Sequence, residues 1–182
     1  MKRANLFSTP SPGGQKIQWR RLEELADSTG ALPVKSNQPR FSFGDTLTLE
    51  VEIPFDGYLN VVSVGPRDEP DILYPNQWHP ENRVSTGVFR FPTHAMDFDL
   101  RVGEPAGENI IVAVLSKDKI NLYQSAVGQR DGKGIREAFG RLSPYGLYEL
   151  TGGGAKSSFT AGQRREQQQK KIAGKVLVTV AP

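Results

Sequence analysis

The alternation of apolar and polar residues is clearest between Phe41 and Val64, and it predicts two β-strands around which the rest of the chain is arranged. The first strand has apolar residues at every second position, with Thr or Glu between them: Leu47, Leu49, Val51 and Ile53. This period of two is typical of a strand with one buried and one solvent-facing side. A turn at residues 54–57 leads into the second strand, so we expect the two strands to form a hairpin.

Further segments with strand patterns follow, mostly with short connections between them. They cover residues 72–74, 84–91, 97–102, 109–115 and 175–180. The run from Asn109 to Leu115 is almost entirely apolar, as expected of a central strand that is covered on both faces. These strands predict an all-β fold, an antiparallel immunoglobulin-like β-sandwich of about seven or eight strands with one or two short helices.

Helical spacing of apolar residues occurs at residues 17–28 and again at 134–142, whereas 120–123 is expected to be a strand or an extended crossing. The first helix either packs on its own sheet or belongs to a linker or a neighbouring domain. We divide the chain into an N-terminal arm or linker with this short helix, residues 1–40, and a β-sandwich accessory domain, residues 41–182.

The composition excludes several classes of protein and site but does not indicate a function. A chain of 182 residues suits one domain with its own core. No stretch approaches the roughly 20 apolar residues that span a bilayer. The absence of cysteine excludes disulfides, zinc–thiolate sites and Cys nucleophiles, and it fits both the cytoplasm and the bacterial periplasm.

The charge is unevenly distributed along the chain. Residues 1–40 carry a net charge of +4, residues 41–116 of −8 and residues 117–182 of +7. Either the basic flanks fold back on an acidic sheet, or a basic surface meets an anionic partner such as a membrane surface or a cell-wall polymer. Nucleic acid is not expected, because no aromatic residues interleave with the basic runs to stack on bases.

Catalytic chemistry has little support in the sequence. The two histidines, His79 and His94, lie in no recognisable triad context, and neither a nucleophile elbow nor a phosphate-binding glycine loop is present. A group of acidic residues could hold calcium, although its spacing matches no defined loop: Asp68, Glu69, Asp71 and Glu81. We therefore predict no catalytic residues, no metal and no cofactor.

The loop after the strand at 72–74 is the most unusual segment and the candidate binding loop. Its proposed binding residues are Tyr74, Asn76, Trp78, His79, Asn82 and Arg83. On one interpretation Asn and Pro build turns here, and Trp78 covers the edge of the core. On the other, an exposed Trp78 anchors a protein or glycan ligand.

Several motifs within residues 41–124 resemble a bacterial domain of unknown function of the DUF 4384 type. The resemblance rests on Gly44-Asp45, on Asp56-Gly57-Tyr58-Leu59, on Tyr74-Pro75-Asn76 and on a following apolar strand, IIVAVLS. Such domains often lie C-terminal to caspase-like peptidases and Ser/Thr kinases, and also occur in envelope-associated proteins. Residues 1–35 are similar to the linker that follows the peptidase in such fusions.

The resemblance implies structural roles and no catalytic residues: Gly57 shapes the hairpin turn, Tyr58 and Leu59 fill the core, and Asn76 closes a turn. We expect a non-catalytic accessory module that binds a protein partner or positions a caspase-like peptidase domain of the same system. The alternative is a module that binds cell-envelope material through its basic C-terminal third. A small hydrolase with an unrecognised active site is a third hypothesis. A periplasmic or secreted location is favoured over a cytoplasmic one.

Overall fold

The computed structural model describes residues 14–29, 32–96, 98–128, 140–150 and 170–182. These residues form three helices: α1 (Ile17–Thr29), α2 (Leu122–Gly128) and α3 (Pro144–Leu150). They also form twelve strands: β1 (Val34–Ser36), β2 (Arg40–Ser42), β3 (Thr46–Leu47), β4 (Leu49–Ile53), β5 (Gly57–Val64), β6 (Pro70–Tyr74), β7 (Arg83–Val84), β8 (Gly87–Phe91), β9 (Leu100–Arg101), β10 (Gly107–Ser116), β11 (Gly140–Arg141) and β12 (Lys171–Ala181).

The strands form two layers. The larger layer is a seven-stranded sheet of order β11-β6-β5-β10-β12-β2, with β7 also paired to β5. The opposite layer consists of a three-stranded sheet, β1-β4-β8, and a two-stranded sheet, β3-β9. All pairs are antiparallel except β12 with β2. The predicted all-β sandwich is therefore confirmed, and the strand number exceeds the expected one because several strands are only two or three residues long.

The predicted hairpin between the two leading strands is wrong, because β4 and β5 lie in opposite layers. Their apolar rows meet across the core, where Leu49 and Val51 join Leu59 and Val61 in one cluster. The turn at residues 54–57 thus crosses from one layer to the other. Gly57 is required by close packing here, since a Cβ at this position would lie 2.5 Å from the carbonyl oxygen of Ser116.

Strand β10 confirms the expectation of a central strand that is covered on both faces. Ile111, Ala113 and Leu115 face the other strand layer, in what we call the sandwich core. The alternate residues Ile110, Val112 and Val114 face the helices, in what we call the helical core. The described residues therefore form two cores, and the large sheet separates them.

Helix α1 lies on the helical core, so of the two alternatives for this helix, packing on its own sheet is the one observed. Its apolar stripe is buried as predicted: Trp19, Leu22, Leu25 and Ala26. Asp68, in the loop after β5, accepts hydrogen bonds from the backbone N–H groups of Gln18 (3.0 Å) and Trp19 (2.8 Å) and so caps the helix. On β12, Lys175 pairs with Glu23 (3.1 Å) and Asp27 (2.8 Å) of this helix.

The division of the chain into residues 1–40 and 41–182 does not coincide with a boundary between folded units. Strand β1 pairs with β4, and β2 begins at Arg40, so residues 32–40 belong to the sandwich. Residues 1–13 of the predicted N-terminal arm lie outside the described residues.

Other sequence-based assignments need correction. The strand predicted at 84–91 is interrupted at residues 85–86, and that at 97–102 shortens to β9. Helix α2 begins at Leu122, within the segment expected to be extended, because Asn121 caps it. Residues 140–141 of the predicted second helix form β11 instead, and residues 134–139 of that helix lie outside the described residues. Within the described ranges, no helix combines the length and apolar character needed to cross a membrane.

Candidate functional site

The candidate binding loop, predicted over residues 74–83, spans residues 75–82 between β6 and β7 and is built on the side chain of Asn76. This residue is fully buried, and its Oδ1 accepts hydrogen bonds from the backbone N–H groups of Trp78 (3.0 Å) and His79 (2.9 Å). Its Nδ2 donates to the carbonyl of Leu73 at 3.0 Å. An Asn side chain that bonds to backbone two and three residues ahead stabilises a tight turn, so Asn76 fixes the position of Trp78.

A network of buried asparagines fastens the far end of this loop to the segment that leads into α2. Asn82 donates from Nδ2 to the carbonyls of Leu59 (3.0 Å) and Ile120 (2.7 Å). Asn121 donates to the carbonyl of Pro80 (2.8 Å) and to Oδ1 of Asn82 (3.3 Å). Buried polar groups that are fully bonded in this way favour one conformation.

Two members of this network, Asn60 and Asn121, were not identified from the sequence. Asn60 donates to the carbonyl of Ile120 (2.9 Å) and accepts from the N–H of Leu122 (3.0 Å). Asn121 caps α2 by accepting from the N–H of Gln124 at 2.9 Å. The signal for Asn121 was available, because an Asn directly before an apolar run is a common helix start. Asn60 gave none, since it interrupts the apolar pattern of a buried strand.

Tyr74 lies at the centre of an aromatic cluster beneath the loop. It is fully buried, its hydroxyl donates to the carbonyl of Glu81 at 3.0 Å, and burial raises the pKa of the phenol well above its usual range. Its ring contacts those of His79, Phe89 and Phe91, with centroids 5.1 to 5.6 Å apart. Tyr74 therefore supports the loop from below and is not placed to contact a ligand.

Trp78 lies at the outer end of the same cluster. Its ring is nearly parallel to that of Phe98, at 15° with centroids 5.3 Å apart, and Phe98 in turn contacts Phe91 at 5.7 Å. Trp78 remains 45% exposed, so it is fixed against the protein and still presents a wide apolar area to solvent. We call Trp78, His79 and Phe98 the Trp78 surface.

The six candidate binding residues thus divide into two groups. Tyr74, Asn76 and Asn82 are buried and shape the loop. Trp78, His79 and Arg83 reach solvent to different degrees, with Arg83 on β7 beside Tyr58 of β5. Only three of the six predicted binding residues are therefore accessible to a ligand.

Most of the side chains considered for catalysis or calcium binding make other contacts, and they do not cluster. His79 Nδ1 lies 3.1 Å from the carbonyl of Glu81, and His94 is exposed in the turn after β8. Among the acidic residues, Asp68 caps α1, whereas Glu69 and Asp71 lie 3.3 and 3.9 Å from Arg141. The described residues contain no cluster of three or more metal-ligating side chains.

A cleft of about 470 Å³ opens between β9 and the large sheet, and neither histidine lines it. No sequence pattern indicated this cleft. Its apolar floor comes from both layers of the sandwich: Leu47, Leu73, Leu100, Val102, Ile111, Val178 and Val180. Charged residues of both signs line its rim: Arg67, Glu69, Asp71, Arg101 and Glu104. We call this feature the sandwich cleft, and its volume is typical of ligand-binding pockets.

The fold and these two surfaces define a β-sandwich domain with a helical layer on one sheet. Residues 40–119, which run from β2 to the end of β10, match a family model described as a domain of unknown function (DUF4384). This segment is therefore a domain of that type, as the resemblance predicted. Comparisons with curated proteins and with solved structures give no match.

Proposed function

We propose that this protein is a non-catalytic accessory module that binds a protein partner through the Trp78 surface, or uses it to position a catalytic domain of the same system. A caspase-like peptidase domain is the catalytic domain that we favour. The observation that carries the proposal is the exposed indole of Trp78, which is stacked on Phe98 and held by the turn that Asn76 stabilises. Tryptophan is enriched at binding hot spots, and a side chain that is already fixed loses little entropy on binding.

The test compares capture of proteins from the source lysate and envelope fraction by the unaltered protein, Trp78→Ala and Val88→Ala. Val88 is the matched control, because it is also an exposed apolar residue and lies on β8. We expect one protein to be recovered with the unaltered chain and with Val88→Ala but not with Trp78→Ala. That protein is then purified, and its affinity is measured by calorimetry. A specific partner whose affinity is unchanged by Trp78→Ala would contradict the proposal.

A second candidate function is binding of anionic cell-envelope material, which would favour a periplasmic or secreted location. Its support is a group of lysines where β10 ends and β12 begins, with the N–H of Lys117 bonded to the carbonyl of Lys170 at 2.9 Å. The group consists of Lys117, Lys119, Lys170 and Lys171. Co-sedimentation with purified cell wall or anionic vesicles that weakens with added salt would support it, since screening reduces such attraction. Sedimentation that is independent of these lysines would count against it.

A further inference from the structure

The sandwich cleft has walls from different layers of the fold. One wall comes from the ends of β5 and β6 and from β10 and β12, including Ser63, Leu73 and Asn109. The other comes from β9 and the loop that follows it, Val102 to Pro105. Because Leu100, Ile111 and Val178 also belong to the sandwich core, the cleft opens into that core.

Within the described ranges, strand β9 pairs on one edge only, with β3, and it lies beside this cleft. Val102 directs both of its backbone groups toward the β3 side, since it donates to the carbonyl of Asp45 (2.9 Å) and accepts from the N–H of Gly44 (2.8 Å). Alternate residues of a strand direct these groups to opposite edges. The N–H and C=O of Arg101 therefore face the other edge of β9, where the described residues contribute no further strand.

The charges at the rim indicate which ligand chemistry fits. Arg67, Glu69 and Asp71 line the wall of the large sheet, and Arg101 and Glu104 line the β9 wall, so both walls carry both signs. Arg141 lies close to Glu69 and Asp71, whereas Arg67 and Glu104 have no ion pair within the described residues. A ligand with a single sign of charge would be repelled by part of each wall. A polypeptide can present charges of both signs on either side of an apolar side chain.

We propose that the sandwich cleft binds an extended peptide segment of a partner protein, which adds to the open edge of β9 and inserts one apolar side chain between residues of both charge signs. Strand addition supplies main-chain hydrogen bonds, and a pocket beside the edge supplies side-chain selectivity. The proposal rests on the proposed protein-binding function and identifies a second contact region for it. Phe98 of the Trp78 surface is two residues from Leu100 of the cleft, so one partner can reach both regions.

The test uses a phage-displayed library of random seven-residue peptides selected on the whole protein. Enriched peptides are synthesised with a fluorescent label, and binding is measured by fluorescence polarisation. Gly103→Phe is the blocking variant, because a Cβ at Gly103 meets nothing within 4 Å and the ring can occupy the cleft without disturbing the core. Val88→Phe adds bulk to an exposed position of β8, outside the residues that line the cleft, and is the matched control.

We expect the enriched peptides to share an apolar residue flanked by charged residues. Binding should fall about tenfold or more with Gly103→Phe and remain unchanged with Val88→Phe. Methylation of one backbone nitrogen at the centre of the peptide should cause a comparable loss, since strand addition uses that N–H group.

Three results would overturn the inference: no enrichment of peptides, enriched peptides that bind Gly103→Phe normally, or displacement of the peptide by laurate with higher affinity than any peptide. The last result would assign the cleft to acyl chains instead. Loss of partner binding with Trp78→Ala but not with Gly103→Phe would remove this inference and leave the proposed function in place. The reverse pattern would remove the Trp78 surface from the proposed function.

Discussion

The two faces of the seven-stranded sheet are both buried, but different parts of the chain cover them. The sandwich face is covered largely by β3, β4, β8 and β9, which lie within the segment that matches the family model. The helical face is covered by α1, α2 and α3, which all lie outside residues 40–119. The matched segment therefore has an apolar face that it does not cover itself, and the flanking parts of this chain supply the cover.

This difference shows what a strand pattern can and cannot establish. The apolar run of β10 indicates burial on both sides, because Ile110 and Ile111 each need an apolar environment. It does not indicate whether helices or strands provide that environment. Substitutions on each face can show whether both contribute equally to stability and which contacts attach the helices and strands that cover them.

The largest expected effect comes from a buried charge on either face. Val112→Asp in the helical core and Leu49→Asp in the sandwich core would each place an unpaired carboxylate among fully buried residues. We expect neither variant to fold, since such a charge costs several kcal/mol, a large part of a domain's stability of about 5–15 kcal/mol. Circular dichroism and thermal melting check this. Val88→Thr, at an exposed site of β8, should melt like the unaltered protein, and a cooperative transition in Val112→Asp would show that the helical face is dispensable.

Removing the cap of α1 tests how the helical cover is fastened. Asp68→Ala removes two hydrogen bonds to the first turn and places Ala at a φ of 59°, which is unfavourable without the Asp side chain. We expect a loss of about 2 kcal/mol in the free energy of unfolding, with faster hydrogen exchange in α1 than in β4. Glu69→Ala, which affects only an exposed ion pair, should lose about 0.5 kcal/mol or less. Equal losses in the two variants would contradict the capping role.

Burial of the Tyr74 phenol should make the free energy of unfolding fall at alkaline pH. Its folded-state pKa is raised by burial, so its contribution is complete below the unfolded value of about 10 and is lost as the pH rises toward the folded pKa. Tyr74→Phe should cost about 1 kcal/mol at neutral pH, through loss of the bond to Glu81. Urea titrations above pH 10 should show a shallower fall in stability for this variant. A parallel fall in both proteins would mean that Tyr74 ionises equally in the folded state.

The smallest expected effect on stability is that of Trp78→Ala. Because Trp78 is half exposed and mainly stacks on Phe98, its removal should cost about 1 kcal/mol or less. Phe91→Ala, in the buried part of the same aromatic cluster, should cost about 3–5 kcal/mol and gives the scale for comparison. Denaturant unfolding measures both values. Similar losses in the two variants would assign Trp78 to the core and weaken its role as an anchor.

The sequence was sufficient to predict a helix or strand where a local pattern of apolar residues determines that element. The alternation of β4, the apolar run of β10, the Val repeat of β12 and the stripe of α1 each led to the correct element. Each of these signals lies within about a dozen consecutive residues, which is the range over which periodicity is informative.

The errors concern contacts between distant parts of the chain. Nothing in residues 54–57 distinguishes a hairpin from a crossing between layers; the difference lies in the packing of Gly57 against Ser116 of β10. Asp68 was considered as a calcium ligand because of its acidic neighbours, yet it caps a helix about 50 residues earlier in the chain. The sandwich cleft was missed for the same reason, since residues from six strands and their connecting loops line it.

The position of β12 has a consequence for how the protein is made. This strand lies between β10 and β2 in the sheet, pairing with β10 over ten residues and holding β2 in place through the only parallel pair among the described strands. During synthesis, β10 emerges from the ribosome more than fifty residues before β12. Until β12 arrives, β10 presents an open apolar edge to other chains, a situation that favours aggregation. The nascent protein is therefore expected to be most prone to aggregation before β12 has been synthesised.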